Sequence, residues 1–141
     1  MERALVVHVA LSARPYRDSW PAEDSFRELL ELVQSSGVEV ADKVLVRRDR
    51  PSPHTFIGKG KLEELHARCD EIKANVVIFG EDLSFQQQRN LEDVLGVKVV
   101  DRTQLILDIF AQRAKSLEGK VQVELAQLQY LLPRLAGQGV L

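Results

Sequence analysis

Four short apolar runs, each followed by a stretch with helical spacing, constrain this chain more than any other feature. Arg3 to Leu11 contains ALVVHVAL, nearly continuous apolar, as strands covered on both faces tend to be. Val38 to Val46 (VEVADKVLV) alternates into a second strand, and Asn75 to Phe79 (NVVIF) and Val97 to Val100 supply a third and a fourth. His8 interrupts the first run and reads as a core or strand-end residue, not as a ligand.

Between the runs lie amphipathic helices. Pro21 suits a first helical turn, and Phe26, Leu29, Leu30 and Val33 then fall at i, i+3, i+4 and i+7, with Gly37 ending the helix. Leu62, Leu65, Cys69 and Ile72 make a second stripe from near Gly60 to about Lys73. Ser84 with Gln87 is a capping-box signature for a third helix, which carries Leu91, Val94 and Leu95 and closes at Gly96. Asp101 or Thr103 caps a fourth, bearing Leu105, Ile106, Ile109 and Phe110. The order βαβαβαβα predicts an α/β fold: a four-stranded, mostly parallel sheet in the order 2-1-3-4, flanked by helices. Its binding edge lies outside the carboxyl ends of the strands. That edge gathers Ser12 to Trp20, Arg47 to Lys61, Gly80 to Ser84 and Asp101-Arg102-Thr103.

The last segment differs in kind. KSLEG, Lys115 to Gly119, breaks the helical run, and a long helix is expected from near Glu118 to about Leu135. Val121, Leu125, Leu128, Leu132 and Leu135 are spaced 4, 3, 4, 3, a coiled-coil seam over two heptads. Such a seam wants a partner helix, or lies back on the sheet. The division expected is an α/β subdomain over residues 1–114 and the first helix of a helical subdomain over 115–141.

Charge is distributed unevenly. The net charge is −2, so the whole molecule is no polybasic nucleic-acid binder, yet Lys43 to Lys61 holds six basic residues against Asp49 alone. Arg47, Arg48, Arg50, Lys59 and Lys61 sit in one proline-containing stretch, RRDRPSPHTFIGKGK, and Arg102, with Lys115 and Lys120 more weakly, adds to it. Two glycines and two lysines at a helix start favour an anion, most simply a phosphate. The nucleotide-binding pattern GxxxxGK followed by Ser or Thr is not met: Thr55 stands for its first glycine and Leu62 for its hydroxyl. The alternative is a flexible basic turn. Cys69 is the one cysteine and falls on an apolar stripe, so it reads as core. His8, His54 and His66 have no zinc spacing, Ser84 caps a helix, and Glu81-Asp82 reads as helix N-terminal charge. No catalytic residues and no metal site are expected. Without an apolar run of membrane length or a signal sequence, a soluble, intracellular protein is expected.

RRDRPSPHTFIGKGKLEEL, NVVIFGEDLSFQQQRNLEDVLGVKVVDRTQLILDIFAQRA and EGKVQVELAQLQYLLPRL together resemble the N-terminal region of HflX-type GTPases, over roughly Val38 to Leu135. The resemblance implies a ribosome-associated GTPase that binds the large subunit and splits or rescues stalled ribosomes. It also implies an α/β subdomain and a helical hairpin ahead of the GTPase domain. Glu118 to Leu135 would be the hairpin's first helix, with a returning helix and a GTPase domain, holding GTP and Mg²⁺, outside this sequence. No residue here inherits GTP hydrolysis. The compartment implied is the cytoplasm, or an organelle matrix such as the mitochondrial one.

Three functions follow as expectations. The first is a module that contacts large-subunit rRNA through Arg47, Arg48, Arg50, Lys59, Lys61 and Arg102, positioning by phosphates without reading sequence. The second is a nucleotide-binding domain, or a small-molecule enzyme, using the Gly58 to Lys61 loop for an ATP or GTP phosphate. The third is a scaffold for partner helices, with self-association through the seam.

Overall fold

The computed structural model describes residues 2–17 and 19–137. Strands β1 (Arg3–Leu11), β2 (Glu39–Arg48), β3 (Val76–Phe79) and β4 (Lys98–Val100) form one parallel sheet in the order β2-β1-β3-β4, as the sequence order predicts. Helices α1 (Ala22–Ser35), α2 (Lys59–Ile72), α3 (Phe85–Leu95) and α4 (Arg102–Arg113) follow the strands in turn, and α5 (Leu117–Gly137) ends the described chain.

Period-two alternation assigns each strand residue to a layer. Leu5, Val7 and Val9 of β1 join Val77, Phe79 and Val99 beneath Leu62, Leu65 and Cys69 of α2 and Leu91 and Leu95 of α3. Ala4 and Val6, with Val76, Ile78 and Val100, face Leu29 and Val33 of α1 and Leu105 and Ile109 of α4. Helices thus cover both faces, and β1 and β3 lie buried at the centre. Burial raises the Cys69 thiol pKa to about 11, ahead of a smaller effect from Asp70, so the thiol stays protonated near neutrality and packs as core.

Local signals hold at the caps. Ser84 Oγ accepts from Gln87 N at 3.1 Å while Gln87 Oε1 accepts from Ser84 N at 2.9 Å, closing the capping box. Gly96 ends α3 in the left-handed region at φ 70°. Of the two expected caps for α4, Asp101 serves, accepting from Gln104 N at 3.0 Å.

Some boundaries move. Pro21 precedes α1 as its N-cap instead of sitting in its first turn. Strand β2 continues through Arg47 and Arg48, because pairing with β1 persists to Leu11 opposite Arg48. The two arginines therefore belong to a strand end and not to the loop. The loop after them is no flexible turn. Ser52 and Phe56 exchange backbone hydrogen bonds at 2.9 Å, Phe56 and Ile57 are buried, and Thr55 Oγ1 donates to Ile57 O. Gln87 and Asn90 of α3 donate to the carbonyls of Ser52 and His54, both at 2.8 Å. Phe56 holds φ 65°, a conformation costing roughly 1–2 kcal/mol for a residue with a side chain, which its burial offsets.

Helix α5 docks by a polar face, not by its apolar seam. Val123, Ala126, Gln127, Tyr130 and Arg134 turn inward, while Val121, Leu125, Leu128 and Leu132 stay 54, 55, 52 and 46% exposed. The side chain of Leu135 lies outside the described residues, as do residues 138–141.

Candidate functional site

The carboxyl ends of β1 and β2, the loop after β3 and the start of α4 enclose a crevice of about 1100 Å³. It lies where the chain order reverses between β1 and β3, the switch point at which open α/β sheets bind ligands. His8, the sixth residue of β1, is the fifth of six consecutive buried positions and lines the crevice. Its ring stacks on Phe26 of α1 with centroids 6.0 Å apart. Glu81, two residues past β3, brings Oε2 to 2.6 Å from His8 Nδ1, both side chains being largely buried. Beyond this contact His8 Nδ1 and the Glu81 oxygens have no side-chain hydrogen-bond partner among the described residues. Burial pushes the Glu81 carboxyl above the usual carboxylate range, and His8, the Val9 backbone and Arg102 hold that rise back.

A raised carboxyl pKa in the folded state binds its proton more tightly than the unfolded chain does. Its contribution to stability is complete below the ordinary carboxylate pKa and is lost as pH rises through the elevated value. Glu81→Gln keeps the shape without the charge. Thermal melts are therefore expected to place the variant above the parent at pH 8 and level with it near pH 4.

The basic residues group unevenly around this crevice. Arg47, Arg48 and Arg102 line it, with Arg17 and the acids Glu28 and Asp49. Arg47 pairs with Glu23 of α1 at 2.8 Å, and Arg102 with Glu28 at 2.7 Å. Glu23 is held below the usual range first by its own backbone N–H and then by Arg47. Such exposed pairs contribute little and exchange readily for other ions. Arg48 donates from Nε to the Arg50 carbonyl at 3.1 Å. Its Nη1 lies so near Gly58 that a side chain there would meet it at 2.7 Å. One guanidinium thus draws Arg50 and the start of α2 together. Lys59 and Arg50 are exposed and carry no ion pair among the described residues, whereas Lys61 pairs with Glu64 at 2.8 Å.

Gly58 to Lys61 lie outside the crevice wall, and Leu62, where a nucleotide loop needs a magnesium-binding hydroxyl, is buried in the core. The residues here do not fit a GTP–Mg²⁺ site.

Sequence reasoning missed three features of this edge. Glu81-Asp82 is not a unit of helix charge: Asp82 accepts from Thr103 N and Oγ1 at the start of α4, while Glu81 turns into the crevice. Tyr16 and Trp20 stand exposed at its mouth. The third is the anchor of α5. Asp101, 1% exposed, accepts from Leu83 N at 3.1 Å and Tyr130 Oη at 2.8 Å as well as capping α4. Arg134 lies over the Tyr130 ring, donates to Gln88 Oε1 and Leu83 O at 3.0 Å each, and approaches Asp101 at 3.6 Å. Nothing in the sequence signalled this anchor, because no spacing rule connects Asp101 with Tyr130 and Arg134.

Comparison with known proteins places these features. The GTPase HflX of Alkalihalophilus pseudofirmus is 47% identical over 136 residues, covering 96% of this chain and 32% of that protein. That of Escherichia coli is 43% identical over 134 residues, covering 95% and 30%. Residues 23–111 match the family described as GTP-binding GTPase N-terminal, and 113–140 the GTP-binding GTPase middle region. The chain belongs to the HflX-type GTPase family. It corresponds to the N-terminal region and spans about a third of the length of these HflX relatives. A GTP-binding protein from the hyperthermophilic archaeon Sulfolobus solfataricus, solved in complex with GDP, superposes on this HflX-type region with a TM-score of 0.72 at 26% identity. That match covers 99% of this chain and 40% of the other. A second structure, of the SsGBP and GDP complex, gives 0.74 at 27% identity, covering 97% and 37%. Among the described residues no helix is long and apolar enough to cross a membrane.

Proposed function

We propose that this chain is the large-subunit-contacting module of an HflX-type GTPase active in ribosome splitting or rescue. Residues 1–114 form its α/β subdomain and 115–141 begin a helical one. It hydrolyses no nucleotide by itself, GTP and Mg²⁺ being held by the GTPase domain of the longer protein. One observation carries the reading: the cluster in which Arg48 touches both the Arg50 backbone and Gly58, leaving Arg50 and Lys59 presented to solvent from a locked loop.

The physics favours rRNA as the partner. Arg50 and Lys59, which pair with no acid among the described residues and sit on a hydrogen-bonded loop, keep their charge for a polyanion and lose little freedom on binding. Arg47 and Arg102 stand by in weak surface pairs. Contacts of this kind fix position on RNA through its phosphates and shape.

Sedimentation with purified subunits tests it. The chain is expected to pellet with large subunits and not with small ones, and the triple variant Arg50→Ala, Lys59→Ala, Lys61→Ala to remain mostly in the supernatant. Equal pelleting of parent and triple variant would remove the cluster from the interface.

A further inference from the structure

The connection from β1 to α1 leaves two aromatic rings in solvent. Tyr16 is 48% and Trp20 70% exposed, both at the mouth of the crevice. We propose that these rings form a stacking platform for an unpaired stretch of RNA, with its bases on Tyr16 and Trp20 and its phosphates on Arg17 and Arg48. The inference rests on the RNA-binding reading above and deepens it.

A single exposed apolar side chain is ordinary on a protein surface. What sets these two apart is their setting. Ser12 N donates to Arg48 O at 3.0 Å and Ala13 N to Asp49 O at 2.9 Å, so the connection is laced to the basic stretch at the end of β2. Tyr16 N and Arg17 N both donate to Ala13 O, at 2.9 and 3.0 Å, closing a tight turn that fixes the backbone carrying Tyr16 and Arg17. Aromatic and cationic groups thus share one surface on a held backbone, and little freedom is lost when a ligand covers it.

The charge on that surface is open. Asp49, the one acid between Lys43 and Lys61, accepts from Ser12 Oγ at 2.5 Å and forms no ion pair among the described residues. Arg17, Arg48, Arg50 and Lys59 likewise pair with no acid among the described residues. Such cations draw a polyanion, and the rings beside them draw its bases, because every base has a π-face and arginine adds cation–π attraction. A duplex turns those faces inward, so the rings favour an unpaired strand. An acidic protein would meet the same cations, but its carboxylates have no face to lay on the rings.

Anisotropy of fluorescein-labelled decaadenylate, titrated with the full chain at physiological salt, reads the platform. The single strand is expected to bind about tenfold tighter than an RNA duplex of the same length. Trp20→Ala should weaken that binding about tenfold, Trp20→Phe should restore most of the loss, and Tyr16→Ala should act in the same direction. Neither change at Trp20 should alter the slope of log K against log salt, whereas Arg17→Met should flatten it by about 0.7. Trp20 is the single tryptophan, so the strand should quench the emission of the parent chain. Duplex bound as tightly as the single strand, or Trp20→Ala binding like the parent, would overturn the platform. Polyglutamate bound as tightly as the strand would overturn the RNA assignment in favour of an acidic protein. Large-subunit binding that persists without any preference for the single strand sinks this inference alone; loss of both sinks the RNA reading beneath it.

Discussion

Asp101→Ala is expected to lower the unfolding free energy by about 3 kcal/mol and to release α5 from the domain. The residue is fully buried and accepts hydrogen bonds from three separate segments: Leu83 N in the loop after β3, Gln104 N at the start of α4, and Tyr130 Oη on α5. Losing the cap alone costs about 1 kcal/mol. The larger part comes from donors left buried without an acceptor, at roughly 1–3 kcal/mol for such a group. For a domain of this length the midpoint of a thermal melt should fall by about 10 °C. Tyr130→Phe removes one of those hydrogen bonds and leaves the cap, so it should cost about 1 kcal/mol. Limited proteolysis reads the second half of the effect: cleavage within α5 should become fast in Asp101→Ala while the sheet domain persists. A melt unchanged by Asp101→Ala would mean that α5 is held by something else.

The second large effect concerns the face of α5 that the anchor leaves outward. Val121, Leu125, Leu128 and Leu132 are each about half exposed along one stripe, with Leu117 and Phe110 nearby more open still. Burying a leucine fully contributes roughly 1.5–3 kcal/mol, so four half-exposed residues represent several kcal/mol available to a partner helix. In the longer protein we assign that role to the helix returning from the hairpin; for the chain alone we expect pairing of two copies through the same stripe. Sedimentation equilibrium should show concentration-dependent dimers, and Leu128→Glu should weaken them by at least about tenfold, because the charge must be desolvated in the seam. A strict monomer for both proteins across the whole concentration range would contradict pairing of the chain with itself.

Much of this architecture was legible in residue patterns. Near-continuous apolar β1, the helical stripes, and the Ser84-Gln87 box each state a local preference that the tertiary structure keeps, and alternation of strands and helices leaves few sheet orders open. The seam of α5 was legible too, though not which side of the helix would dock. An apolar stripe announces burial, but the docked side is fixed by Tyr130 and Arg134 meeting Asp101, residues 29 and 33 positions away whose contact follows from the fold. The same reason hid the crevice. His8 reads as an interruption in a strand and Glu81 as helix charge until parallel pairing of β1 with β3 brings both to one edge. The basic stretch, conspicuous by composition, divides where pairing with β1 extends β2 through Arg48: its first two arginines line the crevice and its lysines start α2.

The salt dependence of binding to large-subunit rRNA tests the central claim most directly. Each phosphate contact contributes about 0.7–0.9 to the slope of log K against log salt. The parent chain should show a steep negative slope, and Lys59→Ala with Lys61→Ala should flatten it by about 1.5 while lowering affinity at low salt. A slope that is flat in the parent, or that stays the same after both substitutions, would contradict an rRNA interface built on this basic edge.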